Sequence, residues 1–145
     1  MRQWKFENQR SVARYLAPFL RTRLHRLFRE EDIMPAQAAL ISIGSGPSAK
    51  NIRNYQPMLD LGRAVGDCRE MLEKSVRRKQ SDAGREDRFF QVKDSIKLTG
   101  RFRKAVYYVI LEDVFTTGST ANEASRILKL HCSQPVYVVS LFMAD

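Results

Sequence analysis

Cysteine is scarce in this chain, whose 145 residues include only Cys68 and Cys132. Two cysteines can build neither a disulfide framework nor a four-cysteine zinc site. The simplest setting for such a chain is therefore a reducing, cytoplasmic one. Cys68 falls within an apolar pattern and is expected to be a core thiol, not a nucleophile.

Long apolar runs are also missing. The two longest, residues 36–43 and 136–144, are interrupted by polar residues and fall far short of the roughly 20 residues that span a bilayer. The opening residues, Met-Arg-Gln-Trp-Lys-Phe, lack the apolar core of a signal peptide. Glycine and proline, at 7 and 5 residues, are too few for a collagen-like or low-complexity chain. We therefore expect one soluble globular domain over residues 1–145, with no membrane insertion.

Acidic residues are outnumbered, 16 against 25 Lys and Arg, which gives a net charge of +9. Such an excess favours a polyanionic partner, namely nucleic acid, a phosphorylated small molecule or an anionic membrane surface. Residues 75–104 carry ten basic residues against four acidic ones and show no regular apolar pattern. Within them, residues 77–88 are predicted to form a mobile, basic loop.

Apolar residues at spacings of three and four predict a helix over residues 9–28. Its apolar side consists of Val12, Leu16, Phe19, Leu20, Leu24, Leu27 and Phe28. Pro18 predicts that the helix is kinked there or begins near it. The arginines on the polar side are interpreted as a solvated face in preference to a nucleic-acid contact.

Short apolar runs and helical patterns alternate along the rest of the chain. Strands are predicted at residues 38–43, 105–111 and 136–143. One helix is predicted to start at Pro57 and to continue with Cys68 and Leu72 on its apolar face. Another is predicted over residues 121–130. This alternation is typical of an α/β protein with a central, mainly parallel sheet flanked by helices.

The segment 109–120 holds the strongest chemical signal. An apolar strand delivers two adjacent carboxylates, Glu112 and Asp113, and a hydroxyl-rich turn over residues 116–120 leads into a helix. In parallel sheets ligands bind beyond the carboxyl ends of the strands, and N–H groups at a helix start bind anions. A sugar phosphate satisfies both features, because its vicinal hydroxyls donate to carboxylates while the turn holds the phosphate. The alternative is an ordinary strand–turn–helix in which one threonine caps the helix.

This segment resembles the motif by which type I phosphoribosyltransferases bind PRPP (5-phosphoribosyl 1-pyrophosphate): a hydrophobic strand, two acids and a Thr-Thr-Gly-x-Thr loop. Over nearly the whole chain, the sequence also looks like the ComF family of phosphoribosyltransferase-like proteins. Trp4-Lys5-Phe6, residues 43–50 and Arg53-Asn54-Tyr55-Gln56 stand where the family has its motifs, and the set Gln80, Arg88 and Gln91 keeps the family's spacing. The chain departs from that family at Gln56 and Pro57, which replace an Asn-Gln pair, at Gln91, which replaces an Asn, and at Gly44-Ser45-Gly46, where basic residues and prolines are common. It also lacks the N-terminal zinc ribbon that many ComF proteins carry.

The resemblance implies a type I phosphoribosyltransferase-like α/β fold and a transferase that releases pyrophosphate from PRPP. It implies that Glu112 and Asp113 are the catalytic pair that holds the ribose hydroxyls. The 5′-phosphate is expected to be wrapped by Thr116, Thr117, Gly118, Ser119 and Thr120.

The same resemblance implies a site for the pyrophosphate. The strand-end loop expected to face it contains Ser42, Ile43, Gly44 and Ser45. The basic loop, with Lys79, Arg85 and Arg88, is expected to fold over the ligand and neutralise its charge. Mg²⁺ is expected to arrive on the pyrophosphate, with no metal site on the protein itself.

Other functions stay open beside the transferase. One is an accessory protein for DNA uptake, supported by residues 1–29, which hold eight basic residues and one acid. Another is a PRPP sensor without turnover, and a homodimer is a further possibility for either. Thr116 stands where purine-salvage relatives place an Asp, and a hydroxyl is no base near neutral pH. This predicts poor transfer to hypoxanthine or guanine.

Overall fold

The computed structural model describes residues 11–46, 56–75, 95–99 and 102–144. In chain order its elements are helix α1 (Ser11–Glu30), a 3-10 turn (Pro35–Gln37), strand β1 (Ala38–Gly44), helix α2 (Pro57–Val65), strands β2 (Cys68–Lys74), β3 (Ile96–Leu98) and β4 (Tyr107–Phe115), helix α3 (Ser119–Lys129) and strand β5 (Val136–Met143). The strands form one sheet in the order β3-β2-β1-β4-β5. Only β3 runs antiparallel to its neighbour. The predicted α/β architecture with a mainly parallel sheet is confirmed.

Helices cover both faces of the sheet. Along β4, Val109 and Leu111 pack on the side of α1 and α2, whereas Tyr108 and Ile110 pack on the side of α3. None of these four side chains is more than 1% exposed. Because successive strand residues point to opposite faces, a strand buried on both sides needs a continuous apolar run. That run is what identifies β4 in the sequence.

Helix α1 continues without a break through Pro18, which is exposed. The hydroxyl of Thr22 donates to the carbonyl oxygen of Pro18 at 2.9 Å. The fully buried side of the helix is narrow and consists of Ala13, Ala17, Leu20 and Leu24. The prediction that Phe19 points inward is wrong, since its side chain is 65% exposed. One helical residue turns the chain by about 100°, which carries Phe19 out of the face that Leu20 occupies.

The prediction that the helix from Pro57 continues to Leu72 is wrong. Helix α2 ends at Val65, and strand β2 begins three residues later. A register shift in the β1–β2 ladder explains the misleading pattern. It leaves the consecutive residues Met71 and Leu72 both buried, so the strand lacks the alternation that would identify it.

Cys68 therefore opens a strand and does not lie on a helix, but it is a core thiol as expected. It is 3% exposed, and a Cβ on Gly62 would lie 2.4 Å from its sulfur, so α2 packs tightly on β2 here. Burial raises the pKa of the Cys68 thiol to about 12. The thiol stays protonated at neutral pH, and both cysteines are free.

The remaining elements differ modestly from their predicted bounds. Strand β4 extends four residues beyond the predicted end at Leu111, because β5 pairs with it as far as Phe115. Helix α3 begins two residues early, β5 has its predicted bounds, and the short β3 was not predicted. Within the ranges that the structure describes, no helix is long and apolar enough to cross a bilayer.

Candidate functional site

A cleft of about 340 Å³ lies at the carboxyl edge of the sheet. Parallel pairing brings the ends of β1, β2 and β4 to this edge, where open α/β sheets bind ligands. The residues that line the cleft are Ser42, Ile43, Ser45, Gln56, Pro57, Met58, Leu59, Lys74, Leu111, Glu112, Asp113, Val114, Thr116 and Thr120. The cleft thus lies where the sequence predicts a ligand.

The two predicted carboxylates both line this cleft. Glu112 and Asp113 are consecutive residues inside β4, so their side chains leave the strand on opposite faces. Each is half-buried and makes an interaction within the folded chain. Glu112 lies beside Ser140 of β5 in the ladder. The end of β4 therefore presents two acceptors that the surrounding chain holds in place.

Two residues of the hydroxyl-rich turn line the cleft, and the others stabilise the turn itself. Thr116 and Thr120 line the cleft, whereas the other three turn residues are not among the lining residues. The Thr117 and Ser119 hydroxyls hydrogen-bond each other at 2.7 Å. Gly118 caps α3 with a positive φ of 73°, and its carbonyl oxygen accepts the N–H of Asn122 at 2.8 Å. The turn is thus braced internally, with its first and last hydroxyl residues at the ligand side.

The strand-end loop after β1 contributes three of its four predicted residues to the lining: Ser42, Ile43 and Ser45. Gly44 is buried and packs against Glu70 of β2. A Cβ on Gly44 would lie 2.5 Å from the carboxyl carbon of Glu70. Gly44 therefore permits the close approach of this carboxylate behind the loop and does not itself face the cleft.

Outside the segment 109–120, sequence reasoning misses five lining residues: Gln56, Pro57, Met58, Leu59 and Lys74. A signal for the first four exists, because Pro57 marks the start of a helix that follows a strand and so begins at the same edge of the sheet. The side-chain oxygen of Gln56 is buried and has no hydrogen-bond partner among the described residues. Lys74 could not be assigned to the cleft from the sequence, because β2, the strand whose last residue it is, is predicted as part of a helix. It is the only Lys or Arg among the described lining residues.

The basic-loop residues Lys79, Arg85 and Arg88 lie outside the described residues, and so do Gln80 and Gln91. The same holds for residues 4–6 and 53–55, which carry other parts of the ComF resemblance. Their predicted roles stay predictions.

Comparison with solved structures reveals related folds. A hypoxanthine-guanine phosphoribosyltransferase from Bacillus anthracis superposes with a TM-score of 0.52 at 13% identity, over 92% of this chain and 71% of that one. A glutamine mutant made to analyse an invariant aspartic acid in hypoxanthine phosphoribosyltransferases gives 0.51 at 16% identity, over 90% and 67%. The fold is that of the type I phosphoribosyltransferases. No family model and no curated protein matches the chain.

Gly118 offers a test of how the turn is built. Gly118→Ala should lower the free energy of unfolding by about 1–3 kcal/mol, because φ is positive and the new Cβ would lie 2.8 Å from the Phe115 ring. Urea unfolding followed by circular dichroism measures the change. The matched variant Gly118→Asn meets the same ring but tolerates the left-handed conformation better, so it should lose less. Wild-type stability in Gly118→Ala would contradict this account of the turn.

Proposed function

We propose that this chain binds PRPP through its ribose 5-phosphate part and transfers the phosphoribosyl group to an acceptor, with release of pyrophosphate. The proposal depends above all on one observation: the acid pair, two hydroxyl residues of the turn and the strand-end loop line a single cleft. A cleft of about 340 Å³ suits a small molecule. The type I phosphoribosyltransferase fold supports the same assignment.

The ribose is assigned to the carboxylates of Glu112 and Asp113. Ionised carboxylates accept hydrogen bonds and donate none, so they match the vicinal hydroxyls of a pentose, which donate. The same groups would repel a phosphate placed against them. The ligand must therefore hold its hydroxyls and its phosphate apart, as ribose 5-phosphate does.

The 5′-phosphate is assigned to the start of α3. The first-turn N–H groups of a helix have no partner within it and attract an anion. No acidic residue occupies the first turn of α3, so no carboxylate competes for that place. The hydroxyl of Thr120, which lines the cleft, adds one more donor.

The pyrophosphate is assigned to the opposite wall, near the strand-end loop after β1. Ser45 supplies a hydroxyl there, and Lys74 at the end of β2 supplies a cation. Ser42 also lines this wall, but its hydroxyl oxygen is buried. Helix α2 also begins at this wall, with Asp60 in its first turn. The Ser45 hydroxyl and the Lys74 ammonium are a donor and a cation, as a diphosphate requires.

The donor set fits Mg²⁺ that arrives on the pyrophosphate. Mg²⁺ keeps several waters and is held by one or two carboxylates together with substrate phosphates. Glu112 and Asp113 supply two such carboxylates, and the described residues contain no group of three or more His, Cys, Asp or Glu that could form a resident metal site. When bound, Mg²⁺ neutralises charge on the leaving pyrophosphate.

The transfer needs positioning more than side-chain chemistry. A lone pair of the acceptor forms a bond to C1 of the ribose, while the bond from C1 to a pyrophosphate oxygen breaks and its electron pair leaves with pyrophosphate. Glu112 and Asp113 hold the ribose and lie close to positive charge that develops on it. Lys74 lies where negative charge grows on the leaving group. Holding the ligand at several points supplies the orientation on which the rate depends.

Calorimetry with PRPP and Mg²⁺ tests the site. The parent protein should bind, and Glu112→Gln/Asp113→Asn should weaken binding at least tenfold, because both charged acceptors are lost at constant shape. Glu30→Gln/Asp32→Asn is a matched control that removes two exposed acids near the end of α1 and should leave binding unchanged. Absence of binding by the parent, or equal binding by the first variant, would overturn the proposal.

Thr116 bears on which acceptor the proposed transferase can use. It lines the cleft at the start of the turn, where its hydroxyl is no base near neutral pH. Transfer to hypoxanthine or guanine should therefore be slow, and Thr116→Asp, which supplies a base, should raise it. Thr22→Asp, on the exposed side of α1 and away from the cleft, is the control. Brisk nucleotide formation by the parent in a PRPP assay would contradict this interpretation.

Pyrophosphate release separates a transferase from a PRPP sensor. Both bind PRPP, but only the transferase breaks the bond to C1. A panel of nucleophilic acceptors, assayed for PRPP-dependent pyrophosphate, distinguishes the two activities.

A second candidate function is the DNA-uptake role that the ComF resemblance implies. It is favoured by the exposed arginines of α1, namely Arg14, Arg21, Arg23, Arg26 and Arg29. A labelled single-stranded oligonucleotide should bind at low salt and lose affinity steeply as salt rises. Arg23→Gln/Arg26→Gln should weaken binding at low salt, whereas Lys97→Gln on the far edge of the sheet should not. No affinity at low salt would exclude this function.

A further inference from the structure

A second cavity, of about 350 Å³, lies at the edge of the sheet opposite to the cleft. It is enclosed by the carboxyl-terminal half of α1, the end of α2 and the start of β1. Along β1, Ala38 and Leu40 line this cavity, whereas Ser42 and Ile43 line the cleft. Among the described residues, none lines both. The cavity, which we call the amino-edge pocket, is therefore separate from the site proposed for PRPP.

The floor of the amino-edge pocket is apolar. Leu24 of α1 and Leu40 of β1 are 3% and 5% exposed, and Phe28 and Val65 beside them are half-buried. Gly66 follows the last residue of α2, and a Cβ there would lie 3.0 Å from the Leu40 side chain. The missing side chain at Gly66 therefore leaves open the space above Leu40.

Charged and polar side chains form the rim of the pocket. Arg21 and His25 are exposed on α1, one turn apart, and Asp67 and Arg103 are exposed in the segments that lead into β2 and β4. Asp67 forms ion pairs with both Arg103 and Arg69, so its negative charge is compensated. Arg21 has no acidic partner among the described residues. The excess positive charge at the rim favours an anion.

The guanidinium of Arg21 is held beside the end of α2. It donates to the carbonyl oxygen of Ala64 at 3.3 Å. This bond occupies one of the carbonyl groups at the carboxyl end of α2, which have no partner within the helix and would repel an anion. It uses only one of the several N–H donors of the guanidinium. Arg21 is thus fixed at the rim and can still bind a ligand.

We propose that the amino-edge pocket binds a small aromatic monocarboxylate, with its ring on the apolar floor and its carboxylate on Arg21. Small-molecule sites combine an apolar lining with a few polar groups that orient the ligand, as this pocket does. The planar fork of an arginine matches the two oxygens of a carboxylate, and His25 adds a ring N–H at the same side. The Phe28 ring offers an aromatic contact.

Charge and burial favour a monocarboxylate over a phosphate. A phosphate dianion would bring more charge out of water and against an apolar floor, and the rim supplies one uncompensated arginine to offset it. An uncharged aromatic compound would leave Arg21 without an anion. The inference does not depend on the proposed function, because the pocket shares no lining residue with the cleft among those that the structure describes.

Calorimetry on the full chain with 2-naphthoate as the probe tests the site. The parent should bind one equivalent, and Arg21→Gln should weaken binding at least tenfold, because the charged donors are lost. Arg23→Gln is the matched control, since it removes the same charge from an exposed residue of α1 outside the pocket lining and should leave binding unchanged.

Two further probes separate the charge from the ring. The neutral isostere 2-naphthamide should bind the parent at least tenfold more weakly than 2-naphthoate, and Arg21→Gln should not weaken it further. Inorganic phosphate, which has charge but no ring, should also bind more weakly. Equal loss of both naphthyl probes in Arg21→Gln would show a merely structural role for Arg21 and would overturn the proposal.

The position of the probe is tested by a variant and by NMR. Gly66→Val fills the space above Leu40, and the extended backbone at Gly66 accepts valine, so binding of 2-naphthoate should fall at least tenfold. Its addition should shift the methyl signals of Leu24, Leu40 and Val65 but not that of Met58 in the cleft.

Three results would contradict the site: no saturable binding of 2-naphthoate by the parent, equal binding by Arg21→Gln, or methyl shifts centred on the cleft. If Gly66→Val does not fold, as judged by circular dichroism, the comparison of Arg21→Gln with Arg23→Gln decides.

Discussion

The parallel pairing of β1 with β4 is the constraint on which the rest of the structure depends. It sets Ser42 beside Leu111, so the segments that leave both strands emerge at the same edge of the sheet. Each strand is followed in the chain by a helix, α2 or α3, whose amino end then faces that edge. Burial of β4 on both faces fixes this register, because a slip by one residue would exchange the side chains of its two cores.

The cleft brings together groups whose charges favour different parts of one ligand. The end of β4 carries two carboxylates, while helix amino termini, hydroxyls and Lys74 surround them. The two carboxylates would repel a simple anion. A simple polyol would leave the helix amino termini and Lys74 without a partner. A phosphorylated pentose with a diphosphate on C1 satisfies both sets, and this complementarity underlies the proposed function.

The sequence predicts the strands and helices whose side chains follow a single regular pattern. The double-sided apolar run of β4 and the strand β5 are of this kind, and so is the turn at Gly118. Strand β2 could not be predicted, because the register shift against β1 buries Met71 and Leu72 side by side and imitates a helical face. For the same reason the sequence does not predict that Lys74 lines the cleft, because its position there depends on β2 being a strand.

In the candidate site, too, some residues can be predicted from the sequence and others cannot. Glu112, Asp113 and Thr116 were predicted for the ligand site from residue type and position alone, and all three line one cleft. Which turn residues face inward could not be predicted, since it depends on the mutual hydrogen bond of Thr117 and Ser119. Likewise, Gly44 was assigned to the ligand, but its closeness to the Glu70 carboxylate follows only from the packing of β2 beside β1.

A crystal structure of the chain with bound ribose 5-phosphate tests the central claim most directly. The account predicts one pentose with its vicinal hydroxyls within hydrogen-bond distance of Glu112 and Asp113 and its phosphate at the start of α3. A sugar phosphate bound with its phosphate against another element, or with its hydroxyls away from both carboxylates, would contradict it.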